Sequence, residues 1–78
     1  MATKINIIIT KNTIYATYVK TICFKSYFND EEQFNDEIIN AQYIAFSYAL
    51  GFSNVILNKI YKPDFKTDQD IFNYLETI

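Results

Sequence analysis

The sequence contains no histidine, arginine or tryptophan, and one each of cysteine, glycine and proline. Without histidine there is no Ser-His or Cys-His dyad and no imidazole general base, and a single thiol cannot fill the tetrahedral shell of a zinc site. The usual hydrolase and zinc-module chemistries fall away, so a non-enzymatic protein with no metal and no cofactor is expected. Cys23 has no partner for an intramolecular disulfide, and a strand thiol without a neighbouring base reads as a space-filling side chain. A long hydrophobic run is also missing: residues 43–52 are mostly apolar but include Ser47, and they fall well short of the ~20 residues that a membrane span needs. The short apolar run behind Lys4 does not make a signal peptide. A cytoplasmic protein without membrane contact is the expectation. Lack of arginine, with a net charge of -2, argues against wholesale binding of a phosphate backbone, so nucleic acid is an unlikely partner.

What is present is a 78-residue chain, half hydrophobic and 18% aromatic, which is enough to fold as one domain over residues 1–78 but buries only roughly 60% of its unfolded surface. Ile, Lys, Asn, Tyr and Phe supply more than half of the residues, a bias toward A/T-rich codons that points to a low-GC genome. Charge is divided along the chain. Residues 1–28 carry Lys4, Lys11, Lys20 and Lys25 and no acid, whereas residues 29–45 carry Asp30, Glu31, Glu32, Asp36 and Glu37 and no base. A bipolar domain is expected.

Residues 4–10 and 13–19 are rich in β-branched and aromatic side chains and flank Lys11-Asn12, which predicts a hairpin with a two-residue loop. That register sets Ile9 against Ile14, Ile7 against Ala16 and Ile5 against Tyr18 on the core side, leaving Lys4, Asn6, Ile8, Tyr15, Thr17 and Val19 outside. Residues 21–28 alternate again, with Ile22, Phe24 and Phe28 on one face and Thr21, Cys23, Lys25 and Tyr27 on the other. They form a third strand, or else residues 13–28 are one bent strand, because neither Lys20 nor Thr21 favours a turn. Asn29-Asp30-Glu31-Glu32 starts a helix that runs to about Leu50 and ends at Gly51. Phe34, Ile38, Ala41, Ala45, Tyr48 and Phe52 recur at helical spacing as its core stripe. Residues 54–58, extended through Ile60 and Tyr61 before Pro63, read as an apolar strand buried on both faces beside a parallel neighbour. Thr67-Asp68-Gln69-Asp70 is a capping box for a short helix carrying Ile71, Leu75 and Ile78. The order is βββαβα, an α+β fold: an antiparallel meander with a fourth strand, one long helix and a short C-terminal helix packed on the sheet.

Three candidate surfaces follow. Glu31, Glu32, Asp36 and Glu37 crowd the helix start, where acids suit the dipole without any function and where they also offer carboxylates to a basic partner. Tyr15, Thr17, Lys25 and Tyr27 share the outer sheet face, either a platform for single-stranded bases or a protein contact. Ile39, Tyr43, Phe46 and Leu50 form a second helical stripe about 120° from the first, to be covered by the C-terminal helix or by a second copy in a homodimer.

The βββαβα order, with Asn40-Ala41-Gln42-Tyr43-Ile44-Ala45 and the segment 49–57, resembles the first two-thirds of the ribonuclease H-like fold. That resemblance implies a dead site, because Lys11, Gln42 and Asn58 stand nearest to the positions of the family's carboxylates. In size, acidity and cysteine poverty the whole chain resembles small phage and mobile-element inhibitors, anti-CRISPR proteins among them. This implies a host protein or complex as partner.

Overall fold

Ile7, Ile8 and Ile9 make β1 (Thr3–Ile9) apolar on both faces, and all three are buried inside the sheet. The computed structural model describes residues 2–28 and 36–78, the side chains of residues 36–38 excepted. β1 pairs antiparallel with β2 (Thr13–Tyr18) in the register Ile9 to Ile14 and Ile7 to Ala16. The Lys11-Asn12 loop is closed by Thr10, whose N–H donates to the Thr13 carbonyl (2.9 Å) and whose Oγ1 accepts the Thr13 N–H (3.0 Å).

β2 and β3 (Thr21–Tyr27) are two strands, not one bent strand, joined by a turn at Val19 and Lys20. Val19 takes the left-handed conformation (φ +55°) there. Between Ala16 and Thr17 the register slips, so that Ala16 faces Phe24 and Thr17 faces Ile22, with Cys23 as the extra residue. This bulge inverts the side-chain phase. Ile22 and Phe24 therefore lie on opposite faces of the sheet, instead of on one.

α1 (Asp36–Ala49) crosses one face and leads to β4 (Val55–Tyr61), which returns parallel to β1. Its C-terminus is closed by Gly51 (φ +97°), with the Gly51 N–H on the Tyr48 carbonyl and the Phe52 N–H on the Ser47 carbonyl, both 3.0 Å. This is the double bond pattern that a glycine just past a helix end allows. Strand order is β3-β2-β1-β4, so β4 is an edge strand whose residues are exposed or half-buried, and it is not buried on both faces. The doubly buried strand is β1.

The second helix, α2 (Asp68–Leu75), begins at the Thr67 cap with both arms of the capping box formed through Asp70. It lies on the other face of the sheet, where Ile71 and Leu75 are buried with Ile8 and Tyr15. The fold is α+β: one mixed sheet between two helices, with a thin apolar layer on each side.

α1 turns to the sheet the face that carries Ile39, Tyr43 and Phe46, packed with Ile5, Ile7, Ile9, Ile14 and Ala16. Ala41, Ala45 and Tyr48 are exposed, so the core stripe is the second one read from the sequence. Phe34 and the Ile38 side chain, along with the Asn29 to Glu32 start, lie outside the described residues.

Candidate interaction surfaces

β1 and β4 begin, and β2 finishes, at one end of the sheet; the α1–β4 connection and the C-terminus of α2 arrive at the same end. This near end collects the β2–β3 turn, residues 50–54 and residues 76–78. The far end holds the Lys11-Asn12 loop, the end of β3 and the β4–α2 connection, as the bond from the Phe28 N–H to the Asn12 carbonyl records (2.9 Å).

The near end carries exposed apolar side chains together with the Lys20–Glu76 ion pair. Of nine large hydrophobic side chains exposed among the described residues, Tyr18, Val19, Tyr48, Leu50 and Ile78 belong to it. Tyr18 stacks at a tilt on Phe52, with ring centroids 4.8 Å apart, and so ties β2 to the α1–β4 connection. Val19 is 63% exposed. A β-branched residue at positive φ is a steric outlier, so this side chain strains the turn while burying little. Beside it, on the α2 side, Lys4, Asn6, Lys20, Asn58 and Tyr74 line a hollow of about 250 Å³. A larger one, about 660 Å³, lies at the far end between Lys11, Asn12 and residues 63–66. Neither brings together carboxylates or a nucleophile with a base. Among the described residues no group of three or more Cys, Asp or Glu is placed to hold a metal ion, and no helix is long and apolar enough to cross a membrane.

The sheet-face surface expected at Tyr15, Thr17, Lys25 and Tyr27 is only partly open. α2 covers Tyr15 and Thr17, which are 3% and 0% exposed, while Lys25 is half-buried and Tyr27 stays 70% exposed. The Tyr15 hydroxyl donates to Asp68 Oδ1 at 2.8 Å, and Lys25 Nζ donates to the same oxygen at 2.8 Å. Lys25 also lies over the Tyr15 and Tyr27 rings, 5.4 and 5.1 Å from their centroids. Burial, and then the bond to Asp68, push the Tyr15 hydroxyl above the usual phenol range. Lys25 is held charged by Asp68 first and Tyr27 second. Tyr15 and Lys25 clamp α2 to the sheet through Asp68, so Tyr15 and Thr17 are not available as part of a platform, and Tyr27 is the exposed ring of the set. Only the apolar character of Tyr15 signalled this in the sequence; the covering partner is 53 residues away.

The stripe of Ile39, Tyr43, Phe46 and Leu50 is not a dimer face. Ile39 and Tyr43 are buried against the sheet and Phe46 packs beside them, stacked on Phe24 at 4.4 Å, while Leu50 alone is exposed. The Tyr43 hydroxyl is buried without a hydrogen bond among the described residues. Desolvation raises its pKa, and Ser26 lies close enough to oppose that without completing a bond. Of the acidic set, Glu31 and Glu32 lie outside the described residues, and Asp36 and Glu37 open the described part of α1 at the far end.

Comparison with protein-family models, with curated proteins and with solved structures finds no match to this chain.

The three positions drawn from the ribonuclease H-like resemblance are not brought together. Lys11 is in the far-end loop, Gln42 is exposed on α1, and Asn58 is on β4, where its Nδ2 donates to Asn6 Oδ1 on the α2 side (3.0 Å). The charge division is also reduced by folding. α2 brings Asp68 to Lys25 and Glu76 to Lys20 (2.9 Å), so two of the four N-terminal lysines meet acids from the C-terminal segment.

Proposed function

We propose that this chain is a non-enzymatic interaction protein that docks its near end on a partner protein. Val19 carries the reading. An exposed valine at positive φ costs about 1–3 kcal/mol of backbone strain, and it gains no burial in this chain to offset that cost. Such a residue makes sense where its methyl groups are covered by something else, and Tyr18, Tyr48, Leu50 and Ile78 surround the same end with further apolar surface. Aromatic anchors are what protein interfaces use at their centres, and the Lys20–Glu76 ion pair beside Val19 would lie at the rim.

The resemblance in size and composition to phage and mobile-element inhibitors of the anti-CRISPR type supports a host protein or complex, met in the host cytoplasm, as the partner. Asp36 and Glu37 lie at the opposite end and take a lesser role, as charges that steer association with a basic surface. The ribonuclease H-like alternative has the element order in its favour, but the separation of Lys11, Gln42 and Asn58 speaks against even a remnant site.

The test uses Val19→Asn, since asparagine tolerates the left-handed backbone. This variant is expected to be more stable by about 1 kcal/mol and to bind the partner captured from the host lysate less tightly. Tyr48→Ala and Leu50→Ala should weaken binding about tenfold each if they are anchors, whereas Phe72→Ala, on the outer side of α2, should not. Parent-like affinity in all three near-end variants would overturn the reading.

A further inference from the structure

We infer that the hollow on the α2 side, lined by Lys4, Lys20, Asn6 and Asn58, binds a monocarboxylate carried on a short apolar stem, either a free small acid or an acidic side chain of another protein. The inference does not rest on near-end docking, because the ligand can be offered to the chain alone.

The register of β1 lays a polar row across this side of the sheet. Asn6 stands between Thr17 on β2 and Asn58 on β4, although asparagine is among the residues that strands disfavour. Thr17 is buried and spends its hydroxyl on the Asn6 carbonyl (2.9 Å). The two asparagines are half-buried and share one bond, from Asn58 Nδ2 to Asn6 Oδ1 at 3.0 Å. Each side-chain amide brings a pair of N–H hydrogens and one oxygen, so a single mutual bond uses one oxygen and leaves most of the hydrogens over, whichever amide is the donor. The floor of the hollow is rich in donors. Val19, Ile60, Tyr74 and Ile78 add apolar lining to it.

Lys4 and Lys20 bring ammonium groups to the same hollow. Lys20 already takes one carboxylate, that of Glu76 at 2.9 Å, whereas the Lys4 ammonium has no ion pair among the described residues. Lys62 lies over the Tyr74 ring, 4.9 Å from its centroid, and adds a third cation nearby. Against these stand Glu76 and the negative end of α2, equivalent to about half a charge. The balance is positive but small, which favours one negative charge over a phosphate dianion. The lining also offers no arginine fork and no helix N-terminus to seat a phosphate. A carboxylate would accept from the Lys4 ammonium and from the spare asparagine N–H groups, while its stem lay against Val19, Ile60 and Ile78. The volume of about 250 Å³ has room for roughly eight water-sized groups, which suits a small acid or one side chain.

Butanoate has such a stem and is the probe, titrated into the isotope-labelled chain at constant ionic strength. The side-chain amide signals of Asn6 and Asn58 and the side-chain signals of Lys4 are expected to shift together and to saturate at about millimolar concentration. Chloride should move none of them. A blocked Ala-Glu-Ala peptide presents the same group on a protein backbone: tighter binding than butanoate would mark a protein side chain as the source, and weaker binding a free acid. Lys4→Gln, at an exposed position, should weaken butanoate about threefold or more. Asn58→Asp, which sets a carboxylate in the hollow itself, should abolish binding while the amide spectrum stays that of a folded chain. Lys11→Gln, at the far end, should leave it unchanged. Tyr48→Ala and Leu50→Ala should bind butanoate as the parent does, which keeps a failure here apart from a failure of the near-end reading. Shifts that climb without saturating, shifts that chloride reproduces, or saturation that survives both Lys4→Gln and Asn58→Asp would each overturn the inference.

Discussion

A single carboxylate oxygen, Asp68 Oδ1, receives both the Tyr15 hydroxyl and the Lys25 ammonium. Lys25 first and Tyr15 second stabilise the ionised form, so the carboxyl titrates below its ordinary range. Asp70 is lowered as well, mainly by the backbone N–H groups of Lys66 and Thr67 that it accepts. A depressed folded pKa contributes stability that is fully present above the unfolded value of about 3.9 and is lost as pH falls through the lower folded value. Melting temperature is therefore expected to hold from neutral pH down to about pH 4 and to fall below it. Asp68→Asn should lower stability at neutral pH and flatten the acid limb. Melts at a series of pH values would decide it, and an acid limb as steep in the variant as in the parent would mean that other carboxylates set it.

Among the elements, α2 is the one whose sequence and role agree most closely. Ile71 and Leu75, one turn apart, are both 0% exposed, while Phe72 points outward. Leu75→Ala should cost about 2–5 kcal/mol and Phe72→Ala well under half of that, as read from denaturant midpoints; equal losses would mean that α2 is rotated on the sheet. Thr67 and Asp70 announced this helix because a capping box is local chemistry. The hairpin was legible for the same reason, through Lys11-Asn12 and the alternation of its strands. What could not be read was non-local or strained. The apolar circumference of α1 left two faces open, and the sheet chose Ile39 and Tyr43 over Ala41, Ala45 and Tyr48. Valine does not signal a turn, so the break between β2 and β3 was hidden, and the bulge at Cys23 silently reversed the alternation beyond it. Of the candidate site residues, Tyr15 and Thr17 looked like surface because nothing in their neighbourhood tells that α2 folds back over them.

At the scale of the molecule, the apolar interior is divided into two layers that share one strand: β1 gives Ile5, Ile7 and Ile9 to the α1 side and Ile8 to the α2 side. The chain exposes 5252 Å², within about a tenth of what its mass sets, so roughly 60% of the unfolded surface is buried. Split in two, that burial leaves each layer too thin to stand alone. If α2 departs, Ile8 and Tyr15 face water and β1 loses one of its two supports; if α1 departs, the other side of the same strand is stripped. Unfolding is therefore expected to be a single transition, with an enthalpy of about 55 kcal/mol near 60 °C and calorimetric and van't Hoff values that agree. The sharper test compares Leu75→Ala with Ile39→Ala, one from each layer and with no shared contact surface. Each should lower the midpoint seen by a probe on its own side and by a probe on the other side equally, because the layers fail together. A Leu75→Ala variant that loses α2 first, with the Tyr43 environment intact until a later transition, would show instead that the sheet and α1 form a stable unit and that α2 is an addition to it.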